Sequence, residues 1–213
     1  MQKTKTMTKK LLITLFIIAL FASCGTRSGN NVCTCTDGVM IDGVCWATRN
    51  VDMPGTFAEN PESLGMLFEW NRRSGWNAVD RYVEGWGMGY YYPIPIGTKW
   101  YAENDPCPTG WRVPTREELL ALENAKNSER VRRNGAYGRL FGIYPHQIFL
   151  PTAGYRSHSN GALNFAGIGG SGYYWSSTAY RESRAWSLSF FWDKSEVFSS
   201  LRSRGKSIRC VAK

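Results

Sequence analysis

The sequence predicts an α+β domain with short antiparallel strands, one helix near residues 115–126 and a large irregular share. Three observations carry that class. Thr115-Arg116-Glu117-Glu118 is a capping box, the Thr115 hydroxyl accepting from the amide three residues on while Glu118 reaches back. Residues 185–193 alternate, with Trp186, Leu188, Phe190 and Trp192 on one face and Ser187, Ser189 and Asp193 on the other. Between such elements run long stretches of glycine, proline and aromatic residues with little periodicity.

Taken in chain order, the elements rest on local chemistry. Residues 39–46 predict a hairpin that turns at Asp42-Gly43, a dipeptide that tolerates two left-handed positions. Pro114 leads into the helix, and Leu119, Leu120 and Leu122 give it a buried side. Residues 149–151 and 173–178 are short strand candidates, and residues 207–212 supply a closing strand. Trp46, Trp111, Trp175 and Trp186 fall on such positions and read as core.

The N-terminus reads as an export signal. Lys3, Lys5, Lys9 and Lys10 precede an apolar run over residues 11–22. That run is shorter than the roughly 20 residues that span a bilayer, and it suits the centre of a leader. It ends in Leu20-Phe21-Ala22-Ser23-Cys24, which resembles a lipobox with Phe21 in the usual leucine's place. The expectation is a lipoprotein signal peptide over residues 1–23, lipid on Cys24, a tether over residues 24–35 and one domain over residues 36–213. The protein is then exported and held by its lipid on the cell envelope, at the outer membrane.

Charge narrows the partners. Lys and Arg number 26 against 17 Asp and Glu, a formal +9 that falls to +5 when the four leader lysines leave. Arg130, Arg132 and Arg133 supply part of the excess, as do Arg202, Arg204, Lys206, Arg209 and Lys213. A nucleic-acid groove would interleave such charges with stacking aromatics. In an exported protein they read instead as a solvated face, to which anionic glycans are suited. No nucleic acid is expected as a partner. Aromatics at 14% with no long charged run exclude a disordered chain.

One long motif is the most specific signal. Asp105-Pro106-Cys107-Pro108-Thr109-Gly110-Trp111-Arg112-Val113-Pro114-Thr115 is answered near the C-terminus by Ser207-Ile208-Arg209-Cys210-Val211. Before and between these lie Gly43-Val44-Cys45-Trp46-Ala47-Thr48-Arg49-Asn50-Val51-Asp52, Pro54-Gly55-Thr56-Phe57, Gly65-Met66-Leu67-Phe68-Glu69-Trp70-Asn71-Arg72 and Tyr173-Tyr174-Trp175-Ser176-Ser177-Thr178. Together they resemble the Fibrobacter succinogenes major paralogous domain, a family found mostly on exported proteins of Bacteroidetes and their relatives.

The resemblance implies a C-type-lectin-like fold, a scaffold related to that of the formylglycine-generating enzymes. It also implies a disulfide between Cys107 and Cys210. Closing a loop of about 100 residues contributes roughly 4–5 kcal/mol in the chain-entropy model. Cys45 is then left to pair with Cys33 or Cys35, with one cysteine over. The family has no agreed biochemical function, so the resemblance assigns none.

Constellations that would carry chemistry are weak. Gly167-Ile168-Gly169-Gly170-Ser171-Gly172 matches a dinucleotide fingerprint in spacing, but a Tyr-Tyr-Trp strand follows where a helix is needed. His146 and His158 are the only histidines, with no nucleophile elbow to serve. The cysteines lack paired zinc spacing, and the loop triplets of calcium-dependent lectins are missing. Formylglycine-type oxidation needs reactive cysteines, which a structural Cys107–Cys210 bridge would remove. No enzyme activity, cofactor or metal is expected.

The aromatic surplus is the remaining lead. Trp76, Trp86, Tyr90, Tyr91, Tyr92 and Trp100 sit among glycines and prolines. Such loops on a rigid scaffold carry function, and rings with polar tips suit sugars or peptides. These six are the expected ligand-binding residues, helped by Arg72, Arg73 or Arg81. The expected role is non-catalytic binding of a glycan or a surface protein. The alternative is an accessory subunit of a fimbrial or other surface assembly, which would expose a large apolar patch.

Overall fold

The computed structural model describes residues 33–86, 97–125, 128–164, 170–191 and 193–213. The strands are β1 (Gly38–Ile41), β2 (Val44–Ala47), β3 (Met66–Phe68), β4 (Gly75–Asn77), β5 (Trp111–Arg112), β6 (Glu129–Arg133), β7 (Ala136–Ile143) and β8 (His146–Pro151). They continue as β9 (Tyr155–Arg156), β10 (Leu163–Asn164), β11 (Gly172–Arg181), β12 (Arg184–Phe191), β13 (Lys194–Leu201) and β14 (Val211–Ala212). The α-helix α1 spans Arg116–Asn124.

The expected α+β, C-type-lectin-like class is overturned. Among the described residues strand accounts for 46% and helix for 7%, so they are mostly β, built from several small antiparallel sheets around one α-helix. Part of the physical reason lies in residues 129–133, where Glu129-Arg130-Val131-Arg132-Arg133 shows no apolar alternation in sequence. This segment is the edge strand β6 of a β6-β7-β8 meander. Arginines on an edge strand discourage pairing with other chains, so a polar strand is what that position requires. Asn134 and Gly135, both at positive φ, make the tight turn into β7.

Local signals elsewhere hold. β1 and β2 pair with Ile41 opposite Val44, and Asp42 (φ 45°) and Gly43 (φ 80°) form the turn between them. The capping box closes as expected, with the Glu118 amide donating to Thr115 Oγ1 at 3.2 Å and the Thr115 amide to Glu118 Oε2 at 2.7 Å. Arg112 grips the same carboxylate at 2.8 and 2.6 Å. Burial pushes Glu118 up, but the Arg112 fork and the Thr115 amide outweigh it and hold the carboxyl below its usual range. Leu119 and Leu122 are buried and Leu120 is half-buried. Asp105 closes the loop before β5, accepting from the Cys107 amide at 2.9 Å and the Val113 amide at 3.1 Å.

The C-terminal segment ties the small sheets together. The Trp70 amide donates to Arg202 O, Phe68 and Lys206 exchange amide bonds, and Arg156 does the same with Gly205. Further along, Trp175 donates to Ser207 O, Val51 to Ile208 O and Ala47 to Cys210 O. Val211 then pairs with both Trp46 and Arg112. Cys210 is bonded to Cys107, with Cα atoms 6.1 Å apart. Residues 202–212 therefore form a strap through the middle of the molecule.

That position corrects the reading of the C-terminal charges as a solvated face. Arg202, Lys206 and Arg209 are buried, because the strap has protein on both sides. Arginine and lysine survive there by donating to oxygens. Arg209 bonds Asn50 Oδ1 at 3.0 and 2.7 Å, Ala47 O at 3.2 Å and Phe149 O at 3.0 Å. Burial still lowers it to about 10. Lys206 donates to Ser187 Oγ at 2.7 Å and faces the Trp175 ring at 4.3 Å. Trp46, Trp111 and Trp175 are core as expected, and Trp186 is half-buried.

Candidate functional site

The structure divides the six expected ligand-binding aromatics. Trp76, on β4, is half-buried and packs against Trp86 with ring centres 4.6 Å apart. Trp86 is buried, and a Cβ added at Gly161 or Gly205 would collide with its ring. Its indole Nε1 is out of water without a hydrogen-bond partner. Trp100 is buried beside Trp70 at 5.8 Å and donates through Nε1 to Asn104 O at 2.9 Å. Tyr90, Tyr91 and Tyr92 lie outside the described residues, as does Cys24.

Trp86 and Trp100 thus spend their rings on packing. The end of β4 and the turn that follows it are held by Arg156, which is fully buried. Its guanidinium donates to Asn77 O, Asp80 O at 3.0 Å and Gly161 O at 2.7 Å. Arg72 forms an ion pair with Glu69 at 3.0 Å, Arg73 bonds Asp105 O at 2.8 Å, and Arg81 lies over the Tyr82 ring at 5.6 Å.

An open site forms instead where the far end of that segment meets the β11–β12 hairpin. Ala179 donates to Thr98 O at 3.1 Å and Trp100 to Ser177 O at 2.9 Å, so residues 97–100 run alongside β11. Between them lies a groove of about 710 Å³ lined by Gly97, Thr98, Tyr180, Arg181, Glu182 and Arg202, among others. Tyr180 is 41% exposed. Its ring packs edge-on against Trp186 at 4.9 Å, Arg181 lies over it at 5.1 Å, and Arg116 covers the Trp186 ring at 4.3 Å.

The floor of the groove is rigid. Arg202 donates to Gly97 O at 2.9 Å, Arg181 O at 2.8 Å and Arg184 O at 3.2 Å, and stacks over Trp70 at 4.2 Å. One side chain therefore fixes both walls against the core. The groove offers an aromatic face, the Arg181 cation at its rim and the Glu182 carboxylate, which together suit polar ligands with apolar faces. Sequence reasoning ended the strand candidate at Thr178 and passed over Tyr180. The signal within reach was an aromatic beside the polar turn Arg181-Glu182-Ser183.

Other constellations do not assemble among the described residues. His146 is exposed at the start of β8 and His158 lies in a separate turn. Gly172 opens β11, so a strand follows the glycine run, whose residues 167–169 lie outside the described ones. The Cys33, Cys35 and Cys45 sulfurs lie within 4.8 Å of one another. Cys33 is bonded to Cys45 and no described cysteine is a free thiol, so this cluster lacks the thiolates a zinc ion takes.

Comparison with known proteins gives one result. A family model described as the Fibrobacter succinogenes major domain matches residues 39–212. No curated protein and no solved structure matches the chain. The matched residues run from the first hairpin to β14 and include both halves of the Cys107–Cys210 bridge and the strap between the sheets. The chain belongs to the Fibrobacter succinogenes major domain family.

Proposed function

We propose that this is a non-catalytic binding domain of the cell envelope that takes a glycan, or failing that a surface protein, in the groove beside Tyr180. The observation that supports it most is the exposed Tyr180 ring, backed by Trp186 and flanked by Arg181, over a floor fixed by Arg202. In the groove a ring, a cation and a carboxylate meet solvent together. Among the described residues the exposed large apolar side chains include Val79 and Tyr82 in one loop and Ile143 and Tyr144 side by side at the β7–β8 turn.

Export and lipid anchorage through Cys24 belong to the same reading. The leader supports them, and so do the Cys33–Cys45 and Cys107–Cys210 bridges, which persist in oxidising compartments. No described helix is long and apolar enough to cross a membrane. A glycan array probed with residues 25–213, with and without chelator, tests the function. Binding that disappears in Tyr180→Ala supports the groove, and a blank array moves the weight to a protein partner.

A further inference from the structure

Cations crowd the side of the β11–β13 sheet that the strap covers. Lys206 is fully buried, its hydrogen bond goes to Ser187 Oγ, and the rings of Phe198 and Tyr173 stand 4.8 and 5.4 Å from its ammonium. Burial pushes that ammonium well below its usual range, and Arg204 and Arg184 push it further, with no carboxylate opposing them. Arg184 is satisfied by Ser199, through Oγ at 3.1 Å and the carbonyl at 2.6 Å. Arg204 is not. Its guanidinium lies over the Tyr155 ring at 4.9 Å, and its Nε is out of water with no hydrogen-bond partner. Tyr155 meets Tyr173 edge to face at 5.1 Å, and both rings are half-buried.

An arginine donor kept from water without an acceptor is costly, and a group of like charges adds to the cost. Both are relieved by an oxyanion, which the planar guanidinium grips through two parallel bonds. The half-buried rings of Tyr155 and Tyr173 beside it add apolar surface for whatever carries that oxyanion. The geometry points to an anion site at Arg204 for the carboxylate or sulfate of an acidic glycan, with the sugar against Tyr155 and Tyr173. This rests on the reading of the domain as a glycan binder and narrows the class of glycan.

The test is calorimetry on residues 25–213 with four probes of matched length: a galacturonate oligomer, a sulfated oligomer, a neutral galactose oligomer and a Glu-rich peptide. One or both acidic oligomers should bind at least about tenfold more tightly than the neutral one, and more weakly as salt rises. Whichever binds better separates carboxylate from sulfate. Arg204→Gln should abolish the preference, and Arg204→Lys, which keeps the charge without the fork, should retain part of it. Equal binding of neutral and acidic oligomers, binding of the peptide alone, or unchanged affinity in a folded Arg204→Gln would overturn the site. Tyr180→Ala separates the two readings. Loss there with Arg204→Gln silent sinks the anion site and keeps the groove, and the reverse pattern does the opposite.

Discussion

Arg209 donates two hydrogen bonds to Asn50 Oδ1, although 159 residues separate them along the chain. Both side chains are sealed from water. Asn50 passes the connection on, donating to Leu64 O at 2.8 Å and meeting the Tyr174 hydroxyl at 3.4 Å. Tyr174 donates in turn to Pro151 O at 2.8 Å, and burial pushes its hydroxyl up to about 12. This buried chain joins the strap to the first loop, to β8 and to β11.

Arg209→Met should therefore lose about 2–4 kcal/mol, because Asn50 and two carbonyls are left without their donor. Urea unfolding monitored by tryptophan fluorescence checks it, with the midpoint falling and the slope unchanged. A loss under about 0.5 kcal/mol would mean that the network adds nothing.

The Cys107–Cys210 bridge spans 103 residues. Replacing both cysteines by serine should cost about 4–5 kcal/mol in the chain-entropy model, read from the same urea curves. The variant should lose stability throughout, since the bridge anchors the strap that every sheet leans on.

Glu69 and Lys206 set opposite trends with pH. Burial raises Glu69 to about 7 from 4.5, with Arg72 pulling it back in part. Between those values the folded protein holds a proton that the unfolded chain has released, so stability falls as pH rises from 4.5 toward 7. Lys206 is lowered well below 10.5. Above its folded value and up to 10.5 the unfolded chain binds the extra proton, so stability climbs with pH there. Glu69→Gln should flatten the first slope and Lys206→Met the second, measured as unfolding free energy across the two windows.

Trp86→Ala should act on folding. Removing a buried indole costs about 3–5 kcal/mol, and Gly205→Ala should also destabilise by driving a Cβ into the same ring. Melting curves check both. Full stability in Trp86→Ala would return that ring to the list of ligand contacts.

These residues also show what was legible in the sequence. The capping box at Thr115 and the Asp42-Gly43 turn are written in adjacent side chains, so they were readable and they hold. The Cys107–Cys210 pairing was readable from motifs at the two ends of one bridge. The burial of Arg202, Lys206 and Arg209 was not, because a run of cations reads as surface until carbonyls from distant loops are in place to receive them. The burial of Trp86 and the exposure of Tyr180 were hidden for the same reason. Gly161 and Gly205, far away in sequence, make the slot that takes Trp86 inside, while Tyr180 is left at a hairpin end with Trp186 behind it. Of the meander over residues 129–151 only the end of β8, residues 149–151, was readable; its edge strand β6 is arginine-rich, a pattern set by exposure rather than by a core.

The most direct measurement is a calorimetric titration of the best array oligosaccharide against wild type and Tyr180→Ala, with melting temperatures recorded alongside. The groove reading predicts affinity at least about tenfold weaker in Tyr180→Ala with melting unchanged, as for an exposed aromatic that carries much of the contact. Equal affinity in the two proteins would contradict it and place binding elsewhere on the domain.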